Sequence, residues 1–213
     1  ELDFEFKPIA LSGNLIKNSE INIEVSVRRR KPLIGNNFLD IENAVKKKIK
    51  FNTSMQITGH ALHYSGPFQN SGPIPPKPGQ PTTYTVVLSV ANTLNKVSGA
   101  KVRTVLPLYV DWIDKVSPTG QSVTYNPSTR EIIWDIGNVD SGVGNSTSPR
   151  QVNFQVRLNP SSSQSGTIPN LILDAVLTGK DSFTGIDITR NIQPINTRLN
   201  RDSNYNPQND KVE

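Results

Sequence analysis

The chain has no cysteine, and this absence excludes several kinds of chemistry. Its 213 residues also include only one methionine and two histidines. Without cysteine there can be no disulfide, thiolate nucleophile, iron–sulfur cluster or thiolate-bound zinc. Proteins without disulfides occur inside and outside cells, so the absence of cysteine does not assign a compartment.

Apolar residues are also scarce, at 34% of the chain, against about 45–50% in an ordinary globular domain. Proline and glycine are frequent, with 16 and 14 residues. This composition favours many short strands with thin cores. No apolar run approaches the roughly 20 residues that cross a bilayer. No basic-then-apolar leader opens the sequence, so we expect neither a signal peptide nor membrane insertion in this fragment.

The net charge of +5 arises from 23 basic and 18 acidic residues. Two short runs, Arg28-Arg29-Arg30-Lys31 and Lys46-Lys47-Lys48 with Lys50, carry much of the excess. Acidic and apolar residues interrupt these runs. That pattern is more typical of solvated strand surfaces than of phosphate-binding patches. We therefore predict no nucleic-acid partner.

Apolar and polar residues alternate with the period of a β-strand along most of the sequence. Ile21–Val27, Tyr84–Val90 and Ala100–Leu106 are clear examples. Only Phe38–Lys50, through Ile41, Ala44 and Val45, could form a helical turn or two. We predict an all-β fold. Seven or eight strands between residues 82 and 199, each with one apolar face, favour an immunoglobulin-like β-sandwich.

An internal repeat predicts how the chain is divided. Leu2–Pro8 parallels Val152–Leu158, and Glu20–Val27 parallels Asn170–Leu177. The pair Asn52-Thr53 recurs as Asn196-Thr197. We therefore predict that the chain has four segments: the last strands of a preceding β-sandwich module in residues 1–58, a Pro/Gly-rich connector and first edge strand in 59–81, the complete sandwich in 82–199, and a polar tail in 200–213. The tail should be disordered on its own.

Three strands with a single apolar face are marginally stable alone and leave an unpaired edge. The partial module should therefore pack on the complete one or on another chain. Exchange of strands between chains, which would create a homo-oligomer or filament, is one solution.

The segment from residue 82 to 158 resembles the DUF11-type repeat of large bacterial cell-surface proteins. The resemblance rests on four motifs, namely Tyr84-Thr85 with Asn92, Ala100 through Leu106-Pro107, Trp134-Asp135-Ile136-Gly137, and Val152 through Val156. It implies an immunoglobulin-like module in an extended, extracellular, multi-module protein. The motifs are structural, so the resemblance implies no catalytic residues.

Four aspartates are candidate Ca²⁺ ligands because they fall at predicted strand ends and turns: Asp111, Asp114, Asp135 and Asp140. Calcium needs six to eight oxygen ligands, and no D-x-[DN]-x-[DN]-G loop is present. His60 and His63 are three residues apart, so on a strand they face opposite sides. This spacing, with no third ligand nearby, disfavours zinc. We predict no catalytic, cofactor-binding or metal site, and the four aspartates are the candidates if Ca²⁺ binds.

Four further residues have structural interpretations. Trp112 and Trp134 are the expected core aromatics of the sandwich. Lys101 could form an isopeptide bond with Asn153, but both occupy polar positions of the alternation. A solvated Lys101 side chain is therefore predicted instead of the isopeptide bond.

These features together predict a non-enzymatic structural or adhesive module of an extracellular bacterial surface protein, part of a stalk, fibre or adhesin. Its partners would be neighbouring modules of the same or another polypeptide. Two alternatives remain open: a carbohydrate- or protein-binding accessory module of a larger secreted enzyme, and a filament subunit that exchanges strands.

Overall fold

The computed structural model describes residues 17–32 and 38–213. Within these residues the chain forms thirteen β-strands: β1 (Glu20–Pro32), β2 (Phe38–Lys50), β3 (Met55–Leu62), β4 (Thr82–Asn92), β5 (Val97–Val105), β6 (Val110–Ser117), β7 (Ser122–Asn126), β8 (Glu131–Val139), β9 (Arg150–Leu158), β10 (Asn170–Ile172), β11 (Ala175–Asp181), β12 (Asp187–Ile192) and β13 (Ile195–Asn196). Two short 3₁₀ helices cover Ser162–Gln164 and Pro207–Asp210. No helix in the described part is long and apolar enough to cross a membrane.

Two antiparallel sheets face each other and confirm the predicted all-β sandwich. The first sheet has the order β3-β4-β9-β6, and the second has the order β12-β11-β5-β8-β7. Inward-facing residues of both sheets form one core, with Tyr84, Trp134 and Phe154 among its largest fully buried side chains. Along β9, Val152, Phe154, Val156 and Leu158 are all buried, as an alternating strand requires. The pair β10-β13 forms a small separate sheet.

The first two strands form a separate hairpin, which we call the ribbon (residues 20–50). Its strands pair antiparallel from Glu20 opposite Lys50 to Pro32 opposite Phe38. Thirteen residues at about 3.4 Å each give a length of about 44 Å. The stretch Phe38–Lys50, which by sequence could form a helical turn or two, is therefore a strand throughout. A spacing of four residues, such as Val45 to Ile49, returns to the same side of a helix or a strand, and pairing with β1 selects the strand.

The sandwich has two ends with different attachments. At the first, which we call the joint end, β3 begins opposite Asn92 and β11 finishes at Asp181. At the opposite end, the tail end, β3 finishes at Leu62 and β9 finishes at Leu158. The ribbon joins the sandwich at the joint end, while residues 198–213 lie over the tail end.

Two predicted segments differ in detail from the structure. Strand β3 crosses the predicted boundary between residues 58 and 59, so Met55–Leu62 belongs to the first sheet. The division into two modules itself stays a prediction. Between residues 63 and 81 the only strand-like contact is an isolated bridge between Lys77 and Gln80, as expected for a proline-rich segment.

The tail is ordered, although its polar sequence predicts disorder. Val212 is buried, and its backbone exchanges hydrogen bonds with Gly166 and Thr167 at 2.7 and 3.0 Å. The Lys77 Nζ lies 2.7 Å from the Glu213 carboxylate. A single buried apolar residue and specific polar contacts hold this segment, so no hydrophobic periodicity is needed.

Candidate functional site: the joint between ribbon and sandwich

The four candidate calcium ligands are divided between the two sheets. Asp111 and Asp114 lie on β6, Asp135 lies on β8, and Asp140 follows β8 directly. No group of three or more His, Asp or Glu side chains that could hold a metal occurs among the described residues.

Each aspartate has a local protein partner. Asp111 accepts a hydrogen bond from the Asn159 amide at 2.8 Å, and Asp114 accepts one from the Trp112 indole at 3.3 Å. The other two aspartates form ion pairs: Asp135 with Lys101 at 2.9 Å, and Asp140 with Lys96 at 3.8 Å. The Lys101 hydrogen bond and charge lower the pKa of Asp135, with the Gly137 N–H as a smaller contributor. These carboxylates act as local structural groups.

The two histidines lie at the end of β3 and beyond it, close to the tail. The His63 ring nitrogen Nδ1 lies 2.9 Å from the Thr83 carbonyl oxygen. Burial lowers the pKa of His60 and of His63. His60 also lines an open groove between β3 and β12 together with Ile57, Ile192 and Arg198, and the described lining of this groove includes no carboxylate. The groove therefore offers no paired acid and base for hydrolysis.

Lys101 and Asn153 do not converge. Lys101 is on β5 of the second sheet and pairs with Asp135, whereas Asn153 is on β9 of the first sheet. Asn153 falls on a polar position of the alternation, yet its side chain is buried and donates to the Ser117 carbonyl at 3.2 Å. Edge strand β6 supplies that acceptor, which the local alternation does not predict.

The tryptophans differ in burial. Trp134 is 1% exposed and donates its indole N–H to Gln121 at 2.9 Å, as expected of a core aromatic. Trp112 is only partly buried and stacks on Tyr125 with ring centroids 5.7 Å apart. Its other neighbour is Phe154, at 5.4 Å. The Trp112–Tyr125 stack closes the side of the sandwich formed by β6 and β7.

A buried polar cluster lies where the ribbon meets the sandwich, and the sequence analysis did not predict it. We call it the joint cluster; its members are Thr53, Asn92, Asn95 and Asp181, all of them buried. These residues come from the linker after β2, from the connection between β4 and β5, and from the end of β11. Buried polar groups of this kind are found where hydrogen bonds compensate their loss of hydration.

Asp181 binds both the linker and its own turn. One carboxylate oxygen accepts from the Thr53 N–H at 2.8 Å and from the Asn95 amide at 2.9 Å. The other accepts from the N–H groups of Phe183 and Thr184 at 2.9 and 3.1 Å. Burial raises the pKa of Asp181, but these four hydrogen bonds outweigh burial and hold the pKa below its ordinary value.

Asn95 connects both ends of the ribbon to the sandwich. Its amide nitrogen donates to the Phe51 carbonyl at 2.8 Å, just after β2. Its amide oxygen accepts from the Asn18 N–H at 3.1 Å, just before β1. The ribbon base is closed by a further bond from the Phe51 N–H to the Ser19 carbonyl at 3.0 Å. Each strand of the ribbon is therefore held by the same side chain.

Thr53 and Lys50 extend these contacts. The Thr53 hydroxyl donates to Asn92 Oδ1 at 2.7 Å and accepts from the Leu94 N–H at 2.9 Å. The Lys50 ammonium donates to the Phe183 carbonyl at 3.1 Å and lies 4.6 Å from the centroid of that residue's ring. The repeated Asn52-Thr53 pair is the one sequence signal that pointed to this linker.

The tail end is held in a comparable way by one buried aspartate, Asp202. Its carboxylate accepts from the N–H groups of His63 and Tyr64 at 2.5 and 2.8 Å and from the Ser65 hydroxyl at 2.6 Å. Burial raises the pKa of Asp202, but the hydrogen bonds outweigh it and the pKa lies below its ordinary value. Each end of the sandwich therefore fixes its attached segment through a buried, hydrogen-bonded carboxylate.

No family model matches the chain, so the DUF11-type resemblance stays a prediction. No curated protein matches it either. Among solved structures, it is similar to the major pilin subunit of Bacillus cereus, with a TM-score of 0.44 and 8% identity over 87% of this chain and 66% of that one.

A second similarity is to the full-length major pilin SpaD of Corynebacterium diphtheriae, with a TM-score of 0.40 and 11% identity over 76% of this chain and 48% of that one. A third is to an exo-β-N-acetylglucosaminidase of Vibrio harveyi, with a TM-score of 0.36 and 8% identity over 65% of this chain and 17% of that one. The chain thus spans less than two thirds of each of these proteins. Similarities at this level do not decide between a fibre protein and an enzyme.

Proposed function

We propose that the chain is a non-enzymatic structural module of an extended protein on a bacterial cell surface. The observation that carries the proposal is the joint cluster, in which Asn95 and Asp181 fix the ribbon to one end of the sandwich. A flexible linker would need no buried polar cluster. A stalk or fibre that transmits force benefits from a rigid joint between successive units.

The position of the two attachments supports the same role. The ribbon joins the sandwich at the joint end, and Asp202 holds the tail at the opposite end. Units attached at opposite ends form an elongated array rather than a compact cluster. The partners of this module would accordingly be neighbouring modules of the same or another surface polypeptide.

Two observations bear on the alternatives. A carbohydrate-binding accessory module would present an aromatic row, but Trp134 is buried and Trp112 stacks on Tyr125. A filament subunit that depends on exchanged strands would leave its own strands unpaired, yet β1 pairs with β2 and β3 pairs with β4 within the chain. Neither alternative is favoured by a specific contact.

The location can be tested on intact cells that produce the protein. Antibodies raised against the purified chain, detected by immunogold electron microscopy, should label the cell exterior, and external protease should remove the label. A cytosolic protein of the same cells serves as the control for membrane integrity. Labelling confined to the cytoplasm, insensitive to external protease, would contradict the proposal.

A further inference from the structure

The ribbon has one charged face and one apolar face. On the charged face, the described side chains form three ion pairs between the strands: Glu20–Lys48 at 2.8 Å, Glu24–Lys46 at 3.4 Å and Arg28–Glu42 at 3.0 Å. The apolar face carries the aliphatic side chains Ile21, Ile23, Val25 and Val27 of β1, with Val45 and Ile49 of β2. By the strand register, Asn43 and Lys47 of β2 lie on this same side.

Much of this apolar face is exposed. Val25 is 46% exposed, Val27 is 66% exposed and Val45 is 68% exposed. Val25 and Val45 are directly opposite each other, so they form one continuous patch across the two strands. Contiguous exposed aliphatic surface of this kind marks a face that another segment covers.

The sandwich contains a covered counterpart of the ribbon. Strands β10 and β11 begin 150 residues after the corresponding part of β1, so Val25 and Val27 correspond to Ala175 and Leu177. Ala175 and Leu177 are completely buried, in the same core as Phe154 of β9. In the counterpart, then, the first sheet, to which β9 belongs, supplies the cover.

The sequence contains a segment at the equivalent position before the ribbon. Leu2–Pro8 stands 150 residues before Val152–Leu158, the stretch of β9 that lines the core. Eleven residues separate each of these segments from the strand that follows, 9–19 in one case and 159–169 in the other. Leu2, Phe4 and Phe6 thus fall at positions occupied by buried residues of β9.

The length and the charge of the N-terminal segment also complement those of the ribbon. Seven residues in strand conformation extend about 23 Å, which matches the seven positions from Ile21 to Val27. Residues 1–16 carry three acidic side chains and one basic one, whereas residues 17–50 carry nine basic and four acidic ones, a net charge of +5. The ribbon of a second copy would bring the same positive charge and is disfavoured. An acidic segment with large apolar residues is the complementary occupant.

We propose that Leu2–Pro8 docks on the apolar face of the ribbon in the same chain, as a strand of the layer opposite β1 and β2. The connection of eleven residues keeps the segment at high effective concentration beside the ribbon. Phe4 and Phe6 supply most of the buried apolar area. The inference concerns packing inside the chain and does not rest on the proposed surface role.

Hydrogen exchange on the full chain tests the proposal. The double variant Phe4→Ser/Phe6→Ser should raise the exchange rates of the β1 and β2 amides near Ile21–Val27 by about tenfold or more, because the cover is lost. The matched control Asp3→Asn/Glu5→Gln changes the other face of the same segment and should leave these rates within about twofold. Amides of the sandwich strands should be unaffected by both variants.

Two outcomes would overturn the proposal. The first is a ribbon whose exchange rates are the same in the parent chain and in the phenylalanine variant. The second is docking between chains: in sedimentation velocity, the parent chain would form a concentration-dependent dimer that the phenylalanine variant loses. A monomeric parent chain whose ribbon protection depends on Phe4 and Phe6 supports it. The result is independent of where the protein is located in the cell.

Discussion

The ribbon β1–β2 and the hairpin β11–β12 share one pattern of alternating residues but differ in what covers them. Leu177 of β11 is completely buried, whereas Val27, at the equivalent position of β1, is 66% exposed. The difference lies outside the two hairpins: the first sheet covers β11, and the described residues place no such layer over β1. Burial is therefore set by a second layer rather than by the strand's own sequence.

The polar sides of the two hairpins also differ. Among the side chains that the structure describes, the ribbon has three cross-strand ion pairs, while β11 and β12 are joined by one, Lys180–Asp187 at 3.7 Å. Charged side chains on both ribbon edges disfavour unwanted pairing with other strands. The hydrogen bonds between β1 and β2 therefore define the ribbon, but a two-stranded hairpin needs a further packing layer for stability, and the apolar face is where such a layer can pack.

The difference in burial between the ribbon and the β11–β12 hairpin is tested most strongly by truncating the equivalent side chains Val27 and Leu177. Leu177→Ala should lower the free energy of unfolding of the sandwich by about 2–5 kcal/mol, because it leaves a cavity in a packed core. Val27→Ala should change it by less than about 0.5 kcal/mol, because Val27 lies outside that core. Urea denaturation followed by Trp134 fluorescence measures both. Equal losses in the two variants would show that the two hairpins are not energetically different.

The joint cluster should give the next largest effect. Asp181→Asn replaces one acceptor oxygen by an N–H₂ group facing N–H donors, and should cost about 1–3 kcal/mol. It should also speed hydrogen exchange at Asn18 and Thr53. Asp187→Asn is the matched control on the same hairpin, since its carboxylate is exposed, and should stay within about 0.5 kcal/mol. A loss in the control as large as in Asp181→Asn would argue against a special role for the joint.

The pH dependence of this difference has a defined sign. The folded-state pKa of Asp181 is lowered, so its contribution to stability is complete above the unfolded value of about 3.9 and is lost as the pH falls through the folded pKa. The gap in unfolding free energy between the parent chain and Asp181→Asn should therefore narrow below about pH 4. The pKa of Asp202 is lowered too, but Asp202 is present in both the parent chain and the variant, so its contribution cancels in the difference. Denaturation at several pH values measures the gap, and a gap that widens in acid would be inconsistent with this account.

The smallest effects should come from the exposed ion pairs. A double-mutant cycle on Glu24→Gln and Lys46→Gln should give a coupling of about 0.2–0.5 kcal/mol, because both side chains are largely solvated. The cycle on Lys180→Gln and Asp187→Gln in the other hairpin should give a similar value. Both coupling energies should fall at 1 M salt, because the salt screens the charges. Hydrogen exchange of the β1 amides measures the coupling between Glu24 and Lys46. Urea denaturation measures the coupling between Lys180 and Asp187.

The sequence predicts the strands of the sandwich well, because alternation is a local property. Tyr84–Val90 and Val152–Leu158 are clear examples, and Trp134 is a core residue as expected. Phe38–Lys50 was ambiguous because its spacing fits a helix or a strand. The order of the tail was also missed, since it depends on contacts with Thr167 and Pro76 that are distant in sequence.

The joint cluster could not be predicted for the same reason. Asn95 and Asp181 are 86 residues apart. Asn95 lies in the connection between β4 and β5 and Asp181 is the last residue of β11, both places where a polar residue is usually solvated. Only the fold brings them together with Thr53. Asp111 and Asp135, which the sequence suggests as Ca²⁺ ligands, have local protein partners instead. Turns and strand ends commonly hold carboxylates for such structural reasons.

The rigid joint is tested most directly by a distance measurement between the ribbon and the sandwich. The chain has no cysteine, so Ser26→Cys and Ser128→Cys introduce the only two sites for spin labels. Both positions are exposed. Double electron–electron resonance should give a single narrow distance distribution that broadens clearly when Asn95→Ala is added. A broad distribution in the parent chain, unchanged by Asn95→Ala, would contradict the rigid joint.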